Sequence, residues 1–222
     1  MFDDIKDIIP LPPELHKRFF KVMRYRHGDT ITLTNGKGHY LYGVLDERNS
    51  TLRIMKIKKV PDDRIPLNVF LPIIKRERMK WVVSKLGEIG VRGIIPVITE
   101  RTTIKKWTDN NKKRCQSLLG AALEVRRGAW ITECKDVQTF DEIYKHVDYF
   151  LDIDGKSIRN YSSNVFPISL LVGPEGGLSD NEKEKLLDVG AIPISLGEFT
   201  LRVETAAIVG TSIIAFWLGV FG

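Results

Sequence analysis

Cysteine is scarce in this chain. Its 222 residues include two, Cys115 and Cys134, too few for a disulfide framework and suited to a reducing cytosol. The four histidines, His16, His27, His39 and His146, stand at no metal-site spacing from one another or from a cysteine, so no metal centre is expected. Phosphate fingerprints are missing as well. Asp154-Gly155-Lys156-Ser157 ends like a P-loop, but Phe150 occupies the position of that motif's first glycine, which excludes a nucleotide triphosphatase of that type. The stretch reads as a polar turn. No GxGxxG run supports a dinucleotide site. The opening MFDDIKDIIPLPPE is acidic and lacks a basic-then-apolar pattern, so no export signal is expected and the location read is cytoplasmic. Repeats and low-complexity segments are absent.

One charge-free run exists, Ala206–Gly222, 17 residues long, at the lower limit for a membrane span. It is short and no basic cluster flanks it, so it reads as a helix buried all round inside a domain or dimer.

Charge is present but unevenly placed. The net formal charge is +4 over residues 1–66, +8 over 75–114 and −6 over 115–222. A basic first half and an acidic second half point to a polyanion at one end, and nucleic acid fits best.

Residues 28–60 read as short strands, with a hairpin signal at Asn35-Gly36 and a second turn at Arg48-Asn49-Ser50. This spacing predicts a small β-barrel, preceded by a basic helix around Pro13–Tyr25 and followed by a linker at Pro61–Pro66. From Leu67 the rhythm changes. Strands at Leu67–Ile74, Gly93–Ile98, Trp130–Cys134, Tyr149–Ile153, Ile168–Val172 and Ile192–Leu196 alternate with helices at Glu77–Ile89, Asp109–Val125, Phe140–His146 and Ser179–Val189. Gly90 stands where a helix C-cap is needed. The alternation predicts an α/β domain with a mostly parallel sheet and helices on both faces. The domain boundary falls between residues 66 and 67.

Two loops have the chemistry of a binding site. Gly173-Pro174-Glu175-Gly176-Gly177 follows an apolar strand and precedes Ser179 and Glu182, a capping box for the next helix. In open α/β sheets, ligands bind at such strand ends. Gly197-Glu198-Phe199-Thr200-Leu201-Arg202-Val203-Glu204 repeats the arrangement before the C-terminal helix. Glu204 suits a helix start, whereas Arg202 opposes the helix dipole there and so requires an anionic or polar partner.

VGPEGGLSDNE followed by LGEFTLRVETA resembles the paired signature of the RsmE-type ribosomal RNA uridine-N3 methyltransferases, members of the SPOUT superfamily. Arg78-Met79-Lys80, Lys85, Glu88-Ile89-Gly90-Val91, Pro96 and Glu100-Arg101 extend the resemblance upstream, and it covers nearly the whole chain. The resemblance implies a PUA-like RNA-binding barrel over residues 1–66 and a trefoil-knotted methyltransferase domain over 67–222, one of the rare knotted folds. It implies S-adenosylmethionine bound by Leu151 and Asp154, by Leu171, Val172, Gly173, Pro174, Glu175, Gly176 and Gly177, and by Leu196, Gly197 and Leu201. The acceptor implied is N3 of a uridine in small-subunit rRNA. Arg202 would orient the base or stabilise its charge, and Glu204 would hold Arg202 or take the proton. RNA phosphates would meet Lys17, Arg18, Lys21, Arg24 and Arg26 and, further on, Arg101, Lys105 and Lys106, with Arg126 and Arg127 as secondary contacts. A homodimer through the knotted domain and its C-terminal helix is implied, and no membrane.

The chain departs from the family pattern in three places. Glu124-Val125-Arg126-Arg127-Gly128 replaces Glu-Gln-x-Gly-Arg, Phe199 replaces an arginine and Ser84 a glutamine. Another rRNA or tRNA position, or a non-catalytic RNA-binding or assembly role, therefore stays open beside the first reading.

Overall fold

The computed structural model describes residues 7–160 and 167–221. Met1–Lys6, part of the acidic opening stretch, and Gly222, the last residue of the charge-free run, lie outside the described residues. Two compact units form. One takes the described residues up to Asp63 together with Arg127–Trp130, and the other takes Arg64–Arg126 and the chain from Ile131 onward.

The first unit contains β1 (Ile8–Pro10), α1 (Pro13–His16), β2 (Thr30–Thr34), β3 (His39–Asp46) and β4 (Thr51–Lys59). The basic helix is shorter than expected: α1 passes into wide π turns over Lys17–Val22, and the chain leaves them through Arg24 at φ 60°. The strands pair antiparallel in the order β1-β4-β3-β2 around Leu11, Phe19, Ile31, Leu45 and Leu52. Among the described residues no ladder joins β1 to β2, so the expected barrel is an open four-stranded sheet. The Asn35-Gly36 hairpin forms as read. Asn35 Oδ1 accepts from the amides of Lys37 (2.8 Å) and His39 (3.2 Å), and Gly36 turns the chain at φ 67°.

Arg127–Trp130 belongs here through long-range contacts. Tyr40 donates its hydroxyl to Arg127 O (2.9 Å), and Trp130 Nε1–H donates to Val60 O (3.2 Å). The expected strand Trp130–Cys134 shrinks to Glu133–Cys134 for this reason, and the boundary expected after residue 66 lies at Asp63.

The second unit runs β5 (Ile65–Pro72), α2 (Arg76–Ile89), β6 (Val91–Ile98), α3 (Asp109–Arg126), β7 (Glu133–Cys134), β8 (Gln138–Thr139), α4 (Phe140–Ile143), β9 (Tyr149–Lys156), β10 (Ile168–Leu171), α5 (Asp180–Asp188), β11 (Ile192–Ile194) and α6 (Val203–Trp217). β5 begins inside the segment read as a linker. All seven strands are parallel, in the order β11-β9-β10-β5-β6-β7 with β8 beside the end of β6.

Both faces are covered, and side chains divide by strand alternation. Leu67, Val69 and Leu71 pack with Val82 and Leu86 of α2, Leu119 of α3 and Ala207 of α6. Phe70, Ile95 and Leu171 go to the other face with Phe140 of α4 and Leu186 of α5. Each fully buried Leu or Ile contributes about 1.5–3 kcal/mol relative to exposure.

Local signals hold where local chemistry dictates them. Gly90 caps α2 at φ 88°, its amide donating to Leu86 O (3.0 Å). Ser179 and Glu182 form the capping box of α5.

Two readings change. Asp154-Gly155-Lys156 is not a turn but the end of β9, where Lys156 pairs with Ile194 across a register shift. Gly155 is required there because a Cβ would come within 2.7 Å of the Pro193–Ile194 backbone. The C-terminal helix is not buried all round inside its own domain. Val203, Ala207, Gly210, Thr211 and Ile214 form one buried face, whereas Phe216 is exposed. Among the described residues no helix is long and apolar enough to cross a membrane.

Candidate functional site

A cleft of about 470 Å³ opens at the C-terminal ends of β9, β10 and β11. Parallel strands end there, and the loops after β10 and β11 form two of its walls. Of the residues expected to bind a cofactor, Leu151, Val172, Gly173, Pro174, Glu175, Gly177, Leu196, Gly197 and Leu201 line it. Asp154, Leu171 and Gly176 do not. Leu171 is fully buried on the opposite face of the sheet, Asp154 lies on the outward end of β9, and Gly176 faces Arg101. The third loop expected after Leu151–Asp154 is strand, and β9 contributes Leu151, Asp152 and Ile153 to the cleft instead.

The wall formed by Gly173–Leu178 is braced from outside. Arg101 Nη1 donates to Gly176 O (3.1 Å) and Leu178 O (3.2 Å), and Gly177 N–H closes a turn onto Pro174 O (2.8 Å). Behind it, Glu182 accepts from the amides of Glu100 and Ser179, and Ser179 Oγ donates to Glu100 (2.7 Å). Arg101 was expected to meet RNA, but its guanidinium is used on this loop. Glu100 and Arg101 follow β6, so the capping box of α5 and the glycine loop are tied to a neighbouring strand end.

Arg78 is the site residue that sequence reading placed only as part of a motif. It lines the cleft from α2, with Nη1 3.6 Å from Glu175 and Nε 3.7 Å from Glu204. One guanidinium thus joins the glycine loop to the first turn of α6. Glu204 is buried, and among the described residues its Oε2 has no hydrogen-bond partner. Its cationic neighbour is Arg78, not Arg202 as expected. Lys183 of α5 pairs with the half-buried Asp152 of β9 (2.6 Å), and both line the cleft.

Arg202 is the N-cap of α6, makes no side-chain cap and is exposed to the cleft. Among the described residues it has no ion-pair partner, while Arg78 and Lys183 both do. A guanidinium held against the positive end of a helix is available for negative charge brought by a ligand. Phe199, on the same loop, is 84% exposed.

The remaining expected RNA contacts divide by position. Lys17, Arg18, Lys21, Arg24 and Arg26 are exposed in the first unit, and Lys105 and Lys106 are exposed in the loop before α3. Arg126 packs its guanidinium against Gly90, at the spot a Cβ would occupy, and Arg127 belongs to the first unit.

The model of the RNA methyltransferase domain family matches residues 61–215. The ribosomal RNA small subunit methyltransferase E of Buchnera aphidicola from Schizaphis graminum is 28% identical over 93% of this chain and 89% of the relative. A methyltransferase candidate from Legionella pneumophila, solved with bound SAM, superposes with a TM-score of 0.83 at 28% identity, covering 95% of this chain and 92% of that one. The Neisseria gonorrhoeae ribosomal RNA small subunit methyltransferase E, solved with S-adenosyl methionine, gives a TM-score of 0.86 at 22% identity, covering 98% and 95%, a likeness of fold.

Proposed function

Because the chain belongs to the RNA methyltransferase domain family, we propose that it transfers the methyl group of S-adenosylmethionine to N3 of a uridine in small-subunit rRNA. The observation that carries this reading is the cleft between two loops, with Arg202 at its mouth as a cation lacking an ion pair among the described residues.

The cleft fits that cofactor. Leu151, Val172 and Leu201 give apolar walls for an uncharged adenosine, and the backbone at Gly173 and Gly177 offers polar groups without side chains in the way. Bound there, S-adenosylmethionine supplies an electrophilic methyl group on a sulfonium. The protein's own tasks are positioning, charge and a proton. Arg202 orients the uracil and balances the negative charge that develops on its oxygens. Glu175, exposed on the cleft wall, receives the N3 proton, since the oxygens of Glu204 are withdrawn from the cleft. Glu204 acts through Arg78, holding it across from Glu175. That edge of uridine is reached when the base is unpaired or flipped out.

The finer features of the family belong to the same proposal: the trefoil knot, a PUA-like RNA-binding role for the first unit, a cytoplasmic location and a homodimer. Exposed Phe216 in α6, with Val220 and Phe221 just after it, supports the dimer. Incubation of small-subunit rRNA with the protein and S-adenosylmethionine, followed by nucleoside mass mapping, is expected to add one methyl group at a single uridine. Cofactor binding without any gain in RNA mass would overturn the reading.

A further inference from the structure

Helix α2 serves two cavities. Arg78 faces the cleft, whereas Arg76, Met79, Lys80 and Val83 line a separate cavity of about 170 Å³. Ile104 and Trp107, from the loop before α3, and Arg114 and Cys115 of α3 complete much of its wall. The walls are apolar and three cations stand around them. Lys80 is paired with Glu77 at 2.9 Å, while Arg76 and Arg114 form no salt bridge among the described residues, Glu77 being the acid their charges act on. Trp107 adds an unmet donor, since its Nε1–H is buried with no acceptor among the described residues.

An apolar slot with an aromatic wall, a donor awaiting an acceptor and cations at the rim is complementary to a nucleotide. The base enters the slot, a base carbonyl meets Nε1–H, and the flanking phosphates meet the arginines. We propose that this cavity holds one unpaired base of the RNA, a neighbour of the methylated uridine, an inference that rests on the RNA methyltransferase reading above. Charge favours RNA as the occupant. Most of the cavity's lining comes from the +8 segment of residues 75–114, and exposed Lys105 and Lys106 precede Trp107 directly. Placement favours a nearby nucleotide of the same strand, because the cavity and the cleft flank α2 on different faces, Arg76 serving one and Arg78 the other, about one helix diameter (~10 Å) apart.

The test uses the full chain and small-subunit rRNA transcribed with 4-thiouridine. After irradiation, mass spectrometry is expected to find a nucleotide adduct on the Trp107 peptide. Trp107→Phe, which keeps a ring and removes the donor, is expected to raise the KM for RNA about fivefold with kcat and cofactor affinity unchanged. Arg76→Ala with Arg114→Ala is expected to raise it about tenfold and to flatten its salt dependence. Wild-type methylation with adducts elsewhere only, and with both variants at wild-type KM, would overturn the cavity assignment while leaving the enzyme reading intact. Equal displacement of the RNA by a polyglutamate peptide would mark a protein-docking site and overturn it too. A wild type that methylates no RNA would remove the reading on which the assignment rests.

Discussion

The two loops that face each other across the cleft are built differently. Gly173–Leu178 is tied to its surroundings by Arg101, by its own turn and by the Glu100–Ser179–Glu182 network. Leu196–Arg202 has little of this. Ser195 Oγ bonds within the turn to Gly197, and among the described residues Glu198–Leu201 make no hydrogen bond. One wall is fixed before any ligand arrives, and the other presents exposed Phe199, Leu201 and Arg202. On the proposed reading the difference divides the work: the braced glycine loop suits a cofactor bound in every cycle, and the open loop, which shares Leu201 with the cofactor, offers Phe199 and Arg202 to an acceptor that must enter and leave.

The strongest way to test that division is to remove the open wall's cation. Arg202→Ala is expected to slow methyl transfer about 10²–10³-fold, the usual loss for one charge-stabilising donor. Cofactor affinity, measured by calorimetry, should stay within about threefold. Breaking the braced wall gives the mirror result. Arg101→Ala removes two hydrogen bonds from a charged donor, each worth about 1.5–3 kcal/mol when buried and less at this exposed position. The cofactor Kd is expected to rise about tenfold, with partial recovery in Arg101→Lys. A smaller effect sharpens the comparison: Phe199→Ala should raise the KM for RNA about fivefold through lost stacking, leaving the cofactor Kd unchanged.

The smallest expected effect lies beneath both loops, where Asp148 precedes β9. Burial pushes its carboxyl above its ordinary value of 3.8, although the Ser169 amide donates to it at 2.7 Å. A raised carboxyl binds its proton more tightly in the folded state. Its stabilising contribution is therefore present below pH 3.8 and lost as the pH rises through the folded value. Asp148→Asn, which keeps an oxygen for Ser169, should raise the melting temperature at pH 7 and give no gain below pH 3.8.

Much of this arrangement was legible in the sequence because short-range chemistry writes it. Gly90 as a cap, Ser179 with Glu182, and glycines at a strand end each depend on neighbours within a few residues. The parallel sheet was legible from strand and helix alternation. What escaped was set by distant pairing. Arg101 meets Gly176 across 75 residues, and nothing near either position announces it. Arg78 resembled a motif, but its place between Glu175 and Glu204 needs three elements folded together. Gly155 suggested a turn, yet it sits in a strand because β11 approaches its backbone too closely for any side chain. Residues 127–130 changed units for a similar reason, through contacts of Arg127 with Tyr40 and of Trp130 with Val60.

The most direct test of the two-wall account is calorimetry of S-adenosylmethionine with the wild type, Arg101→Ala and Arg202→Ala side by side. The account predicts binding to all three, weakened about tenfold in Arg101→Ala and nearly unchanged in Arg202→Ala. Equal weakening in both variants, or none in Arg101→Ala, would contradict it.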